Sequence, residues 1–197
     1  GRGGAIDICV GYKKGGEEIY NRLSPWVVKT MGKTLVRGKD EGGAFHGRIY
    51  DKTIARQWLP CKTPRSAPVV PEFIFEGTVE TRAAFLAGLS DADGTPKKYN
   101  LASNRYKEFL EDVQIIAGSL GIDTRIDTRK PRTIKGKIYP PENMLVVRGF
   151  HSKGTLCEIV NPLCVRKYIP VVEATSDANI PLGIVQSAVE QGIVEKK

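Results

Sequence analysis

The chain has 197 residues and a formal net charge of +8, with 41% hydrophobic and 26% charged residues. This composition excludes a disordered chain, and the length suffices for one ordinary domain or two small ones with a buried core. A charge of this sign and size favours a polyanionic partner, although a solvated basic surface would have the same composition. No apolar run reaches the roughly 18 residues of a membrane helix and no secretory signal is present. We therefore expect no membrane partner and an intracellular location, in the cytoplasm or in a eukaryotic nucleus or organelle.

The first part of the chain shows the order strand, helix, two strands, helix. Ile19, Leu23 and Val27 recur every four residues, which predicts a helix that Pro25 kinks or interrupts. Asp51 stands where an N-cap would precede another helix. The predicted elements are a strand over 5–12, a helix over 16–31, strands over 34–38 and 44–50, and a helix over 52–59.

After a proline-rich linker over 61–72, the second part shows the order helix, strand, helix, two strands, helix. Its clearest helix carries five apolar side chains on one face, namely Phe109, Val113, Ile116, Ala117 and Leu120. Gly121 follows at a C-cap position. The predicted elements are a helix that residues 73–82 lead into and that ends at 91–94, a strand over 95–103, a helix over 104–119, a strand over 123–129, a loop, a strand over 143–149 and a helix over 152–161.

The two parts echo one another in element order, although their sequences share too little identity to indicate a repeat. We divide the chain into a first half-domain with its linker, 1–72, a second half-domain, 73–170, and a C-terminal tail, 171–197. The tail is either a helix packed on the surface or a frayed end. Trp26 and Trp58 lie on predicted helices, and we expect both in the core.

The four cysteines form no CxxC pair, so a zinc site is not expected. An even count does not indicate a disulfide framework in a chain of this length. We expect reduced and mostly buried thiols, as in a cytosolic or nuclear protein. These residues are Cys9, Cys61, Cys157 and Cys164.

Residues 85–94 read Phe-Leu-Ala-Gly-Leu-Ser-Asp-Ala-Asp-Gly and resemble the motif of the LAGLIDADG homing endonucleases, of intron- or intein-encoded type. Ser90 stands where that family usually has isoleucine. The lead-in 70–74 and the segment 120–122 are also similar to the family, whereas residues 5–60 share only its element order. The resemblance implies an α/β fold of two αββαββα-like half-domains that form a saddle on DNA, with the motif helix at their interface.

Small side chains at Ala87 and Gly88 would let two motif helices approach closely, while Leu86 and Leu89 face a core. The resemblance implies hydrolysis of phosphodiester bonds in both strands of a long double-stranded DNA site, with Mg²⁺ or Mn²⁺. Such hard cations prefer oxygen ligands, and two-metal cleavage needs two neighbouring metals.

By resemblance, Asp93 is the metal ligand and the backbone carbonyl of Gly94 assists, whereas Asp91 caps or braces the helix end. Without the preceding Leu-Ala-Gly-Leu stretch, these aspartates would indicate only a polar helix stop. The family often places a basic residue near each active centre to polarise the attacking water. By position these residues are Lys13, Arg105 and Lys107.

A two-half member of the family would carry another motif helix before residue 5, and this sequence shows none. Three explanations stay open: the chain is a fragment, a second chain supplies the helix, or the first half has degenerated and no longer cuts. Asp7 is the only carboxylate before Glu17, and we expect it to be a surface residue of a strand.

The family lays antiparallel strands into the major groove, where cations contact phosphates and arginine can also read guanine. Any single cation is more simply a solvated charge, but the set concentrates in strands and loops. The predicted DNA contacts are Lys14, Arg37, Lys39 and Arg48 in the first half, and Lys97, Lys98, Asn100, Ser103, Arg125, Arg129, Lys130, Arg132, Lys135, Lys137 and Arg148 in the second.

Two non-cleaving functions remain as alternatives on the same fold, an RNA maturase and a transcription regulator. The sequence shows no protein-splicing signature, since it has neither an N-terminal cysteine or serine nucleophile nor a final His-Asn pair. An intein origin would therefore make the chain the endonuclease part alone.

Overall fold

The computed structural model describes residues 4–11, 15–38, 44–58, 61, 67–134 and 136–170. The first part forms the antiparallel sheet β1-β3-β2, in which Asp7 pairs with Arg48 and Cys9 with His46. Asp51 caps the helix that follows, because its Oδ1 accepts hydrogen bonds from the backbone N–H groups of Thr53 and Ile54. The elements are β1 (Ala5–Gly11), α1 (Gly16–Met31), β2 (Val36–Arg37), β3 (Ala44–Tyr50) and α2 (Lys52–Trp58).

The second part forms the antiparallel sheet β4-β8-β5 and a separate hairpin, β6-β7. Its elements are α3 (Glu72–Phe75), α4 (Val79–Asp93), β4 (Asn100–Asn104), α5 (Lys107–Ser119), β5 (Thr124–Arg129), β6 (Arg132–Ile134), β7 (Lys137–Tyr139), β8 (Glu142–Val147) and α6 (Phe150–Thr155). A 3₁₀ turn, Pro96–Lys98, precedes β4, and a π-helical turn, Leu156–Val160, continues α6.

The larger hydrophobic core lies between α4, α5 and one face of the sheet β4-β8-β5. Leu86, Leu110, Val113 and Leu145 are fully buried there, and Phe109, Ile116, Ala117 and Leu120 join them. The face of α5 predicted from the sequence is thus confirmed. The other face of this sheet stays open, and it carries the candidate site.

A smaller core lies under the sheet β1-β3-β2, where Val27, Leu35 and Ile49 are buried. α1 continues through Pro25 without a break. The prediction that Trp26 is a core residue was wrong, since it is 47% exposed. One residue turns a helix by about 100°, so burial of Val27 directs its neighbour toward solvent. The side chain of Trp58 and the tail 171–197 lie outside the described residues.

Three other predictions need correction. The loop between β5 and β8 contains the hairpin β6-β7, whose three-residue strands are too short to show an alternating pattern. The strand predicted over 95–103 starts only at Asn100, because Pro96 opens a 3₁₀ turn. The thiols are free but not mostly buried: Cys164 is buried, Cys9 is exposed, and Cys61 and Cys157 are half-buried.

No helix within the described residues is both long enough and apolar enough to cross a membrane.

Candidate metal site and nucleic-acid interface

The motif helix α4 is fixed at its start by a side-chain cap and along its length by burial. The Thr78 hydroxyl accepts a hydrogen bond from the N–H of Thr81 at 3.3 Å. Ala83, Leu86 and Ala87 are buried against the larger core. The helix therefore ends at a fixed place, immediately before β4.

Asp91 braces the end of this helix against the segment after α6. Its carboxylate accepts hydrogen bonds from the backbone N–H groups of Val165 at 2.7 Å and Arg166 at 2.8 Å. In return, the Arg166 guanidinium donates to the carbonyl oxygens of Ser90 and Asp91. Cations that bond the last carbonyls of a helix satisfy its unpaired acceptors. The bracing function expected for Asp91 is thus confirmed.

Gly94 lets the end of α4 lie against the start of β4. A Cβ atom at this position would lie 2.5 Å from the carbonyl oxygen of Ser90, 2.8 Å from that of Leu101 and 2.9 Å from that of Asn100. All three contacts are with backbone, which cannot rotate away. Glycine is therefore required here by close approach and not by its φ angle, which is −82°.

We predict that Gly94→Ala destabilises the protein by about 2 kcal/mol, because an added methyl group in a packed site forces the backbone apart. The free energy of unfolding from urea denaturation would measure this loss. Gly88→Ala is the matched control, since a Cβ there meets no atom within 4 Å and alanine is the better helix former. Equal stability of the two variants would contradict the prediction.

Asp93, the last residue of α4, lies where two clefts meet. One cleft, the helix groove, also contains Ile8, Leu23 and Ala84. The other, the sheet cleft, runs over the open face of the sheet β4-β8-β5 and contains Asn100 and Met144 among others. The carboxylate is thus accessible from both sides.

The Asp93 carboxyl has no hydrogen-bonding or ion-pairing partner among the described residues. Partial desolvation by surrounding protein raises its pKa; Arg166 opposes this shift and Glu142 adds to it. An unpaired, partly desolvated carboxylate is a poor stabiliser but a fitting ligand for a hard cation. The oxygen donors present, which are this carboxylate and the neighbouring Gly94 carbonyl, fit Mg²⁺ or Mn²⁺.

The helix groove exposes one face of α4 that consists of small residues. Ala84, Gly88 and Ala92 recur at helical spacing on this face, and all three are exposed. Ile8, Ile19 and Leu23 of the first half line the opposite side of a volume of about 690 Å³. This volume is lined mainly by apolar side chains. The small residues on its α4 side would let the backbone of another helix approach closely.

The sheet cleft brings several predicted DNA contacts together beside Asp93. It has a volume of about 630 Å³. Two carboxylates, Asp127 and Glu142, lie among the cations, and Glu142 pairs with Arg129 at 3.6 Å. The predicted contacts within it are Lys98, Asn100, Ser103, Arg129 and Arg132. Asn100 needs correction, because it is only 4% exposed and its side chain hydrogen-bonds with the Ser103 hydroxyl at 2.9 Å, so it holds the sheet together and does not face DNA.

A second basic cleft, of about 740 Å³, lies at the end of the same sheet. Lys153, which was not among the predicted contacts, also lines this cleft, and its ammonium lies 5.4 Å from the ring centre of Tyr99. Lys153 lies on α6, away from the strands in which DNA contacts were expected. The predicted contacts in this cleft are Lys97, Lys98, Arg125 and Arg148.

The remaining predicted residues lie elsewhere. Arg105 stacks on the Tyr106 ring at 4.5 Å and lines a small cleft with Arg129, Lys130 and Arg132, while Lys107 pairs with Glu111 along α5. Neither Arg105 nor Lys107 lines a cleft that contains Asp93. Arg37 pairs with Glu17, Arg48 pairs with Asp7, and Lys137 lies over Tyr139 in the hairpin. Lys13, Lys14, Lys39 and Lys135 lie outside the described residues.

Comparison with known proteins gives a family model, a sequence relative and several solved structures of similar fold. Residues 80–160 match the LAGLIDADG-like domain. The homothallic switching endonuclease of Saccharomyces cerevisiae is 35% identical over 71 residues, which cover 32% of this chain and only 12% of the yeast protein. The chain therefore spans about an eighth of that relative.

Among solved structures, mesophilic variants of the homing endonuclease I-DmoI share this fold with a TM-score of 0.58 and 15% identity, over 79% of each chain. An I-DmoI variant bound to its nicked target DNA in the presence of Mn has the same TM-score at 16% identity, over 79% of each chain. Another variant, bound to target DNA in the presence of Mg, has a TM-score of 0.56 at 14% identity and the same coverage. The expected α/β fold of the LAGLIDADG homing endonucleases is confirmed, whereas the absence of the first motif helix stays a prediction.

Proposed function

Because residues 80–160 form a LAGLIDADG-like domain, we propose that this chain acts inside the cell as a site-specific homing endonuclease. It would hydrolyse phosphodiester bonds of a long duplex DNA target with Mg²⁺ or Mn²⁺. The observation that carries the proposal is the position of Asp93, an unpaired carboxylate that ends the motif helix beside a cation-lined open sheet. The resemblance to proteins solved with target DNA and Mn or Mg supports it.

In this proposal, Asp93 holds a divalent cation with the help of the Gly94 carbonyl. The cation, when bound, lowers the pKa of a water molecule and neutralises charge on the scissile phosphate. Lys98 lies in the same cleft and neutralises a neighbouring phosphate. Ser103 offers its hydroxyl to the edges of bases, and the major groove is wide enough to admit a two-stranded β-ribbon. Asp91 contributes by keeping the helix end in place.

We propose that a second chain supplies a motif helix to the helix groove, which would bring another carboxylate next to Asp93. The exposed small face of α4 supports this, because two helices with small contact residues can approach closely enough to place both carboxylates at adjacent scissile phosphates.

Gly88→Leu should block this association. A side chain at Gly88 projects into open space, so we expect the fold to persist while double-strand cutting of a cognate target falls at least tenfold. The matched control is Gly118→Leu on α5, where a Cβ also meets no atom within 4 Å. Normal cutting by Gly88→Leu would contradict the proposed helix pairing.

The test of the proposed function is cleavage of a plasmid library that carries randomised sites. We expect linear product with Mg²⁺ and none after EDTA is added, because the proposed site holds its cation through few protein ligands. The enriched cleaved sequences would define the target. Specific DNA binding without metal-dependent cutting would contradict the proposal.

The alternative is a non-cleaving nucleic-acid-binding protein on the same fold. It is favoured by the absence, within the described part of the chain, of any group of three or more His, Cys, Asp or Glu side chains that could hold a metal. A strong preference for a cognate intron RNA over DNA would identify an RNA maturase. Specific DNA binding with no cutting would identify a transcription regulator.

A further inference from the structure

Asp127 is a carboxylate on the surface that the proposed function assigns to DNA. It lies on β5, faces the sheet cleft and is 36% exposed. A carboxylate that faces DNA repels the backbone at close range. A role other than a direct phosphate contact is therefore needed to explain Asp127.

Asp127 contacts Arg125 two residues earlier on the same strand. The Arg125 Nε lies 3.1 Å from Oδ2 of Asp127 and 3.0 Å from Oδ1. Both carboxylate oxygens thus lie close to the Nε of the guanidinium, on the side nearest the aliphatic part of the arginine. The two terminal Nη groups form the fork that matches O6 and N7 of guanine.

The neighbours of this pair across the sheet are apolar. In the register of the sheet, Arg125 lies opposite Val146 and Asp127 opposite Met144, and both apolar side chains are half-buried. Apolar groups beside a donor fork suit the edges of bases, where thymine presents a methyl group. These apolar side chains have no hydrogen-bond donor for a phosphate oxygen.

The other cations of the basic cleft, which Arg125 also lines, differ from it in this respect. Lys97, Lys98 and Arg148 have no carboxylate partner among the described residues. Their charge is uncompensated, which suits phosphate contacts that carry no sequence information. The basic cleft thus contains both cations without a carboxylate partner and an arginine, Arg125, that is paired with one.

The first sheet repeats the same chemistry. Arg48 donates from Nε to Oδ2 of Asp7 at 3.1 Å, and His46 Nδ1 lies 2.7 Å from the other carboxylate oxygen. Desolvation by the surrounding protein raises the pKa of the Asp7 carboxyl, but the contacts with His46 and Arg48 outweigh it and hold this pKa below its usual value. Arginine held by a strand carboxylate is thus common to both halves.

We infer that Arg125 reads a guanine in the DNA target and that Asp127 is the residue that positions it. This inference rests on the proposed function, since it assigns sequence specificity to the same DNA-binding sheet. It distinguishes Arg125 from the cations that would contact phosphates. It also gives Asp127 a role on a surface where an unpaired carboxylate would repel DNA.

Selection of bound duplexes from a randomised library, without added divalent metal, tests the inference independently of cleavage. We expect the unmodified chain to enrich a guanine at one position. Arg125→Lys keeps the charge and should lower that preference about tenfold, the effect of losing one bidentate contact. Asp127→Asn should lower it about threefold at the same position, while binding to non-specific DNA becomes tighter.

Glu111→Gln is the matched control, because it makes the same change of charge on α5, which covers the opposite face of the sheet. It should keep the full consensus. In an Arg125→Lys background, Asp127→Asn should change nothing further at that position. Unfolding temperatures show whether each variant is folded, and both side chains are at least 36% exposed.

An unchanged consensus in Asp127→Asn would overturn the positioning role. Loss of preference at a different position from that of Arg125→Lys would also overturn it, since Asp127 would then read a base itself. If the unmodified chain selects no consensus at all, the proposed function itself fails.

Discussion

Asp93→Asn is expected to abolish metal-dependent DNA cleavage while leaving DNA binding intact. Asparagine has the same shape but cannot supply the negative charge that holds a divalent cation. The lost transition-state stabilisation should reach about 4 kcal/mol, which corresponds to roughly a thousandfold in rate. The nicking rate of a supercoiled plasmid that carries the selected site, with saturating Mg²⁺, measures the effect, and a mobility shift without metal measures binding.

The same substitution should not lower stability. Desolvation raises the pKa of Asp93 in the folded chain, so at neutral pH its ionised form is disfavoured on folding and the carboxylate contributes a cost. Removal of the charge should leave the unfolding temperature equal or higher. Loss of function without loss of stability is typical of a ligand residue and not of a structural one.

The control for Asp93→Asn is Glu111→Gln, which removes one negative charge from an exposed pair on α5. It should cut DNA at the normal rate. Persistent metal-dependent cutting by Asp93→Asn would show that another carboxylate holds the cation and would remove Asp93 from the mechanism.

Much of the fold of the second half could be predicted because its signals are local. Apolar residues at helical spacing predicted α5, and the five side chains expected to face the core, from Phe109 to Leu120, are all buried, together with Leu110. The hairpin β6-β7 could not be predicted in the same way. Its strands have three residues each and are flanked by prolines, so burial leaves no periodic pattern in the sequence.

For the site, the sequence predicted single residues but not their arrangement. The resemblance of the motif identified Asp93 and Gly94 as metal-binding candidates, and it indicated that Asp91 braces the helix end. The helix groove depends on the first half packing near α4, which no local pattern indicates. The pairing of Arg125 with Asp127 depends on two side chains sharing one face of β5, and a count of cations does not show which arginines are paired with a carboxylate.

Asp91→Ala is expected to destabilise the protein by about 3 kcal/mol. The substitution leaves the N–H groups of Val165 and Arg166 without their acceptor in a half-buried place, and hydrogen bonds to a charged group contribute about 1.5–3 kcal/mol each. The two losses overlap, because Arg166 keeps its bonds to the carbonyls of Ser90 and Asp91. Urea denaturation measures the change.

Asp91→Asn should fall between alanine and the unmodified chain, since its amide oxygen can still accept from one of the two N–H groups. Below the unfolding temperature, both Asp91 variants should retain metal-dependent cutting, because the Asp93 carboxylate is intact and the close packing at Gly94 still positions the helix end. The two aspartates should thus give opposite results. Substitution of Asp91 lowers stability and keeps cleavage, whereas substitution of Asp93 abolishes cleavage and keeps stability. If Asp91→Ala were as stable as the unmodified chain, the segment after α6 would not be what holds the motif helix end, and the placement of Asp93 would have to depend on the close packing at Gly94 alone.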